Sequence, residues 1–228
     1  MRSLIVRFKD HEGPGILEEI LKDKNYCISY HNAYESNLQL IPDSHQIFDL
    51  IILLGGPQSV YDSSLNEFFK PYYKLVENAL SIPKKKVLGI CLGSQIIAKA
   101  LGAEVQKGSK GQEIGFSKVN ILDLSDKLFQ KFTTSAIDAF HYHGDVFNVP
   151  SGCKRLLSSS VYENQMFAYN DSAYAIQCHF EVTKNLLKTW YSKDEALSNA
   201  IGKLDENVFS TLDESIENGK ILFENIIG

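Results

Sequence analysis

A cysteine between two glycines, directly after a short apolar run, restricts the fold more than any other pattern in this chain. The run Val87–Ile90 is typical of a buried strand, and Ser94–Leu101 is typical of the helix that follows it. Gly89 and Gly93 each lie two residues from Cys91, as in the sharp strand–turn–helix known as a nucleophile elbow. Side chains at the two glycine positions would collide with the neighbouring strand and helix. The helix dipole and the unpaired backbone amides at the start of the helix would stabilise a thiolate at Cys91.

Strand and helix patterns alternate through the first hundred residues. The segment 50–54 is continuously apolar, as expected for a strand that is buried on both faces. The predicted strands are 4–8, 27–30, 48–54 and 87–90, and the predicted helices are 16–21, 64–80 and 94–101. This order predicts an α/β fold with an open, mostly parallel sheet flanked by helices.

The pattern changes after Gly102. Short β-like runs at 115–121 and 155–160 predict a small mixed or antiparallel extension of the sheet. A further strand is predicted at 173–178. The two helices predicted at 184–201 and 207–225 are interpreted as packing elements with little functional content.

The composition narrows the class of protein. The 228 residues are 44% apolar and no linker-like run interrupts them, so we expect one domain spanning 1–228. A net charge of −5, with interspersed acids and bases, disfavours nucleic acid as a partner, and no apolar stretch is long enough for a membrane span. Four cysteines without a CxxC pair, in a chain without a signal-like start, indicate free thiols and a cytoplasmic location.

Three polar or glycine-rich loops follow predicted strands. They are Gly55–Pro57, Cys91–Gly93 and His179–Glu181. In open α/β sheets, sites form beyond the carboxyl ends of the strands, so we expect these loops to meet. His179 and Glu181 are two residues apart, and an extended backbone would point both side chains to one side. An imidazole is the usual base for a cysteine nucleophile, and a carboxylate can orient that imidazole.

Four segments carry a family resemblance. They are Gly55–Pro57, Gly89–Gln95, His143–Asp145 and Gln177–Glu181. With them, most of the chain resembles a class I glutamine amidotransferase, and within that family it is similar to the free-standing GMP-synthase-like members. The resemblance implies a flavodoxin-like sheet and hydrolysis of the side-chain amide of glutamine.

The resemblance also implies a catalytic triad. Cys91 would attack the γ-glutamyl amide, His179 would serve as general acid and base, and Glu181 would orient the imidazole. Ammonia would leave first, and water would then release glutamate from a thioester.

Three further positions match substrate-contacting positions of the family. The resemblance implies that the backbone N–H groups of Gly56 and Leu92 stabilise the oxyanion, and that Gln95 holds the substrate. The chain departs from the family pattern at Cys178 and Phe180, where relatives carry phenylalanine and proline.

Several functional alternatives stay open. No ATP pyrophosphatase signature and no second synthase domain follow residue 181, so the chain by itself is not expected to be a GMP synthase. Either it passes ammonia to a separate synthase subunit, or it acts alone on a γ-glutamyl peptide or conjugate. A non-catalytic regulatory role is a further interpretation. A cysteine peptidase is disfavoured because such relatives often carry a histidine directly after the nucleophile, where this chain has Leu92.

Other polar residues receive structural interpretations. His141 and His143 suggest a metal site, but no third ligand with suitable spacing is evident, so no metal and no cofactor are expected. Residues 143–145 are interpreted as a turn in the pocket wall. The segment 11–15 follows the first predicted strand and could border the site, but a plain loop before a helix is the favoured interpretation. The segment 111–115 is interpreted as structural.

Overall fold

The computed structural model describes residues 1–35, 37–41 and 43–228. The strands are β1 (Arg2–Arg7), β2 (Cys27–Asn32), β3 (Leu50–Leu53), β4 (Lys86–Ile90), β5 (Val105–Lys107), β6 (Glu113–Ile121), β7 (Ala136–His143), β8 (Asp145–Phe147), β9 (Lys154–Ser159), β10 (Met166–Tyr169) and β11 (Ala173–Ile176). The helices are α1 (Ile16–Asp23), α2 (Ser44–Ile47), α3 (Asn66–Leu80), α4 (Leu92–Ala100), α5 (Lys184–Lys193), α6 (Glu195–Ile201) and α7 (Glu206–Ile227), and a 3₁₀ turn, Ser63–Leu65, precedes α3.

One sheet organises the molecule. Its strand order is β2-β1-β3-β4-β11-β10-β9-β6-β7. The strands from β2 to β11 in this order run parallel, and each later neighbouring pair is antiparallel. Strands β5 and β8 pair separately. The parallel centre confirms the predicted α/β class, and the antiparallel extension comprises the four strands β10, β9, β6 and β7.

Both faces of the parallel strands β1, β3, β4 and β11 are buried. Alternate residues face opposite cores: Ile5 and Leu88 pack in the cluster that contains α1 and α7, whereas Val6 and Val87 pack in the cluster that contains α3 and α4. This alternation is what a central strand of a doubly covered sheet requires. The helices therefore lie on both sides of the sheet, as predicted.

Several element boundaries differ from the sequence-based predictions. Helix α4 begins at Leu92, two residues earlier than predicted, so Cys91 directly precedes it. The helix predicted over 184–201 is two helices, because the backbone is extended at Asp194 and its side chain accepts a hydrogen bond from the Leu197 amide (3.0 Å). Strand β11 ends at Ile176 rather than at residue 178, and the sequence pattern does not predict β7 or β10.

Helix α7 covers the chain segment that follows β11. It packs against α1 and β7. A Cβ at Gly219 would collide with the Phe180 carbonyl oxygen and would lie 3.0 Å from Ile16 Cδ1. The helix therefore rests directly on this segment. Within the described residues, none of the helices combines the length and apolar character needed to cross a membrane.

Helix α4 starts in close contact with the end of β3. The Gly93 amide donates a hydrogen bond to the Leu54 carbonyl oxygen (3.1 Å), and a Cβ at Gly93 would overlap the Leu53 carbonyl group. A Cβ at Gly89 would in turn collide with the Gly93 carbonyl oxygen. The two glycines are thus required by close backbone approach, as the sequence pattern predicts.

Replacement of Gly93 tests this packing. We expect Gly93→Ala to lower the free energy of unfolding by at least about 2 kcal/mol, because the obstructing atoms belong to the backbone of β3 and cannot turn away. Gly13→Ala is the matched control, since a Cβ there meets nothing within 4 Å, and it should change stability by less than about 0.5 kcal/mol. Urea unfolding of the three proteins measures both effects; equal midpoints and slopes would contradict the packing argument.

Candidate active site

Cys91 occupies a turn with an unusual backbone conformation. Its φ is 50° and its ψ is −110°, which L-residues other than glycine rarely adopt. The Cys91 amide donates to the Ile176 carbonyl oxygen (2.8 Å), and the Cys91 carbonyl accepts from the Ser94 and Gln95 amides (3.0 and 3.2 Å). These bonds hold the strained turn from both sides. The Cys91 thiol donates weakly to the Tyr142 carbonyl oxygen, at 3.8 Å.

His179 and Glu181 form a buried pair. His179 Nδ1 and Glu181 Oε1 are 2.7 Å apart, and each residue is 2% exposed. The predicted same-side placement of the two side chains is confirmed. The other ring nitrogen, Nε2, is buried and has no hydrogen-bond partner among the described residues. Since Nδ1 is occupied by the carboxylate, Nε2 is the nitrogen available for chemistry.

The backbone around His179 is held by the antiparallel half of the sheet. The His179 amide donates to the Phe140 carbonyl oxygen (2.7 Å), and the Phe140 amide donates back (3.3 Å). The Glu181 carbonyl oxygen accepts a hydrogen bond from the Ile16 amide (2.9 Å), at the start of α1. The imidazole also meets the Trp190 ring edge-on, with ring centroids 5.2 Å apart. His179 therefore sits where β7, α1 and α5 converge.

The electrostatics around His179 favour the imidazolium form. Burial lowers the pKa of the imidazole, but the negative charges of Glu181 and of Cys91 outweigh this effect. The pKa of His179 therefore stands well above its ordinary value.

The loop after β3 lies beside Cys91. A Cβ at Gly55 would lie 3.5 Å from His179 Cε1 and 3.6 Å from Cys91 Cβ. A Cβ at Gly56 would lie 2.9 Å from Leu92 Cδ2. In the described part of the chain, neither the Gly56 amide nor the Leu92 amide donates a hydrogen bond. The loop after β3 and the first residue of α4 each therefore hold a free backbone donor near Cys91.

One cleft of about 720 Å³ brings most of the predicted residues together. Cys91, His179, Gly56 and Gln95 border it. Leu92 and Glu181 do not, although Leu92 adjoins Cys91 in the chain and Glu181 is bonded to His179. The Gln95 side chain is buried, and its amide donates to Gln177 Oε1 (3.3 Å).

Further residues border the cleft. His11 and Glu12 are among them, so the favoured plain-loop interpretation of 11–15 is wrong, and the alternative drawn from their position at the end of β1 is confirmed. Trp190 and Asp194 border it as well, so the interpretation of the last helices as packing elements alone is also wrong. Trp190 Nε1 donates to the His11 carbonyl oxygen (3.1 Å), which joins α5 to the loop after β1. Nothing local in the sequence indicates this contact.

The expectation that no third ligand lies near His141 and His143 is wrong, because the structure places a carboxylate beside both side chains. Glu113 Oε2 lies 3.4 Å from His141 Nδ1 and 3.2 Å from His143 Nε2. Burial raises the pKa of Glu113, but the two imidazoles outweigh burial and hold it well below the usual range. Glu113 belongs to the segment 111–115, whose purely structural interpretation therefore misses this contact. The expected place of 143–145 in the pocket wall is confirmed, because His143, Gly144 and Asp145 border the cleft.

The carboxyl of Glu12 gives the site a testable pH dependence. Burial raises the pKa of Glu12 from 4.5 to about 7, although His179 nearby partly opposes this. The folded protein therefore holds a proton on Glu12 at a pH where the unfolded chain has lost it. The stability that this proton contributes is complete below about pH 4.5 and is lost as the pH rises through about 7.

Replacement of Glu12 by glutamine removes this ionisable carboxyl, so that stability no longer depends on its protonation. We expect the free energy of unfolding of wild type, relative to Glu12→Gln, to fall by about 3 kcal/mol between pH 4.5 and pH 8. Urea unfolding at the two pH values measures the difference. Glu19→Gln, on the exposed side of α1, is the matched control. A constant difference between wild type and Glu12→Gln at both pH values would contradict the assigned ionisation.

Comparison with known proteins places this geometry in a family. A model of the class-I glutamine amidotransferase family matches residues 18–198. A crystal structure of a glutamine amidotransferase from Thermotoga maritima superposes with a TM-score of 0.84; it is 30% identical, and the match covers 100% of this chain and 96% of that one.

Curated relatives extend the comparison. The glutamine amidotransferase-like protein YfeJ of Salmonella typhimurium is 29% identical over 89% of this chain and 85% of its own length. A glutamine-hydrolyzing GMP synthase subunit from Sulfolobus acidocaldarius is 41% identical over 59% of this chain and 68% of its own length. Gamma-glutamyl peptidase 3 of Arabidopsis thaliana is 30% identical over 64% of this chain and 60% of its own length. With its elbow, its buried histidine–glutamate pair and these matches, the chain belongs to the class-I glutamine amidotransferase family.

Proposed function

We propose that this protein hydrolyses γ-glutamyl amides through a Cys91–His179–Glu181 triad, with glutamine as the default substrate. The observation that carries the proposal is the buried His179–Glu181 pair at 2.7 Å, whose free Nε2 shares one cleft with Cys91 at a strained strand–helix turn. Members of the family are amide hydrolases, and this arrangement supplies the groups that an amide hydrolysis needs.

The first half-reaction forms a thioester. The Cys91 thiolate attacks the carbonyl carbon of the γ-amide, and the negative charge moves to the carbonyl oxygen. The free amides of Gly56 and Leu92 are the donors available to stabilise that oxygen, and each such donor typically contributes a few kcal/mol to the transition state. The imidazolium of His179 then gives its Nε2 proton to the departing nitrogen, and ammonia leaves.

The second half-reaction consumes one water molecule. Neutral His179 removes a proton from the water, which attacks the thioester carbonyl carbon. The carbon–sulfur bond breaks, glutamate is released, and the thiolate and imidazolium are restored. Glu181 holds Nδ1–H throughout, so that the proton moves only at Nε2. Gln95, buried at the cleft wall, would hold the glutamyl group.

The size of the cleft favours a second candidate substrate class. A volume of about 720 Å³ lies within the range of pockets that hold drug-sized ligands, which is more than one glutamine fills. Its rim includes Lys9, Lys107 and Lys193, which suit further carboxylates. A γ-glutamyl peptide or conjugate would use this room. One relative is named a gamma-glutamyl peptidase, whereas another is named as part of a synthase; the analogous partner here would be an ammonia-accepting protein.

Cys91 is the position that tests the reaction. We expect Cys91→Ala to lower kcat by at least about 10³-fold, because no other group can form the thioester. A diazoketone analogue of glutamine should alkylate Cys91 in the folded wild type, as peptide mass spectrometry would show. Cys27→Ala is the matched control, because Cys27 is exposed on β2, and it should keep full turnover. Equal glutamate release by wild type and Cys91→Ala would refute the assignment.

The two candidate substrate classes can be distinguished by comparing their turnover. Turnover of glutamine, of γ-glutamyl dipeptides and of γ-glutamyl amines should be compared as kcat/KM under one set of conditions. A γ-glutamyl dipeptide preferred at least about tenfold over glutamine would show that the outer cleft contributes binding energy. Lys193→Ala should then reduce that preference and leave glutamine turnover unchanged. A preference for glutamine would instead support the ammonia-supplying function.

A further inference from the structure

A second cluster of chemically competent side chains lies behind the cleft wall. Glu113 on β6 is directly opposite His143 on β7 in the strand register. His141, two residues earlier on β7, faces the same side. All three side chains are buried, and their nearest nitrogen and oxygen atoms lie within 4.8 Å of one another.

The spacing of these atoms matches that of metal ligands. Glu113 Oε2 is 3.4 Å from His141 Nδ1 and 3.2 Å from His143 Nε2. In a tetrahedral zinc site with bonds of about 2.0–2.1 Å, neighbouring ligand atoms are about 3.3 Å apart. The two distances therefore correspond to two edges of such a tetrahedron.

The surrounding groups orient these ligands as in metal sites. His143 Nδ1 lies 3.1 Å from the Asp145 carbonyl oxygen, which leaves Nε2 as the free lone pair. Ser159 Oγ and Gln165 Nε2 both donate to Glu113 Oε2, at 3.1 and 2.8 Å. A histidine tied through its remote nitrogen, beside a hydrogen-bonded carboxylate, is the usual outer shell of a bound transition metal.

Residues of this cluster carry unpartnered polar atoms. Both ring nitrogens of His141 lack a hydrogen-bond partner within the described residues, and His141 is fully buried. Glu113 Oε1 and Gln165 Oε1 are unpartnered there too. Buried polar atoms left in this state cost free energy, about 1–3 kcal/mol each. A cation bound to His141 Nδ1 and to the carboxylate would remove part of this cost.

We propose that Glu113, His141 and His143 bind one divalent transition-metal ion, with Zn²⁺ as the first candidate. Two imidazoles and one carboxylate form a ligand set that suits Zn²⁺. Three protein ligands leave the fourth position of a tetrahedral site to a water molecule. His143 borders the cleft, which gives the ion a route of entry.

Such an ion would stiffen the cleft wall. It would join β6 to β7 through side chains, in addition to their backbone pairing. Tyr142, between the two histidines, presents its carbonyl oxygen to the Cys91 thiol at 3.8 Å. The ion would therefore fix one wall of the cleft without touching the reacting atoms.

The test uses full-length Cys91→Ala protein, so that a metal ion bound by the cleft thiol is not mistaken for this site. The protein is stripped with a chelator, loaded with Zn²⁺ or Co²⁺, and passed through gel filtration. We expect one equivalent of metal by mass spectrometry, the visible absorption of four-coordinate Co²⁺, and a higher melting temperature with Zn²⁺. Less than about 0.1 equivalent of metal, with no Co²⁺ absorption, would overturn the proposal.

Two further variants locate the bound ion. In the same background, His141→Asn and Glu113→Gln should weaken Zn²⁺ binding at least about 100-fold and abolish the shift in melting temperature. His31→Asn is the matched control, because His31 is a buried histidine that contacts Tyr72 and lies on β2, at the opposite edge of the sheet. It should retain binding. Unchanged affinity in His141→Asn and Glu113→Gln would overturn the assignment even if an ion binds elsewhere.

Discussion

The close approach of α4 to the end of β3 is the contact on which the site depends. Because Gly93 has no side chain, its amide reaches the Leu54 carbonyl oxygen, and the helix begins immediately after Cys91. The same contact brings the glycine loop after β3 against the first turn of the helix. A longer separation would leave Cys91 without the neighbouring backbone donors. The position of Cys91 at the start of α4 and its proximity to the loop after β3 therefore both depend on one backbone contact.

The two halves of the sheet make different contributions. The parallel half supplies the turn at Cys91 and the loop at Gly55, both at carboxyl ends of strands. The antiparallel half supplies the backbone partner of His179, because the chain leaves β11 after Ile176 and bridges to Phe140 on β7. The cleft lies where these halves meet, so its geometry depends on the pairing of strands that are distant in sequence.

Local chemistry explains what is predictable from the sequence. The turn at Cys91 follows from glycine spacing, and the His179–Glu181 pair follows from period-2 alternation, so a few adjacent residues suffice to infer both. The partnership of Glu113 with two histidines does not follow in this way, because it depends on the register of β6 against β7. The role of Trp190 in the cleft is equally hidden, since it depends on how α5 docks against the loop after β1. The helical pattern of the sequence continues across Asp194, so it does not predict the break between α5 and α6. The only local sign of the break is the Asp194 side chain, which caps the start of α6.

The position of α7 matters when a domain of this family is excised or grafted into another protein. The part shared with the family model ends at residue 198, yet α7 lies beyond it and rests on Phe180, between His179 and Glu181. A graft cut at the shared boundary would lose the support beneath this segment while keeping Cys91, His179 and Glu181. The structure that supports this segment therefore extends beyond the residues that the family model matches.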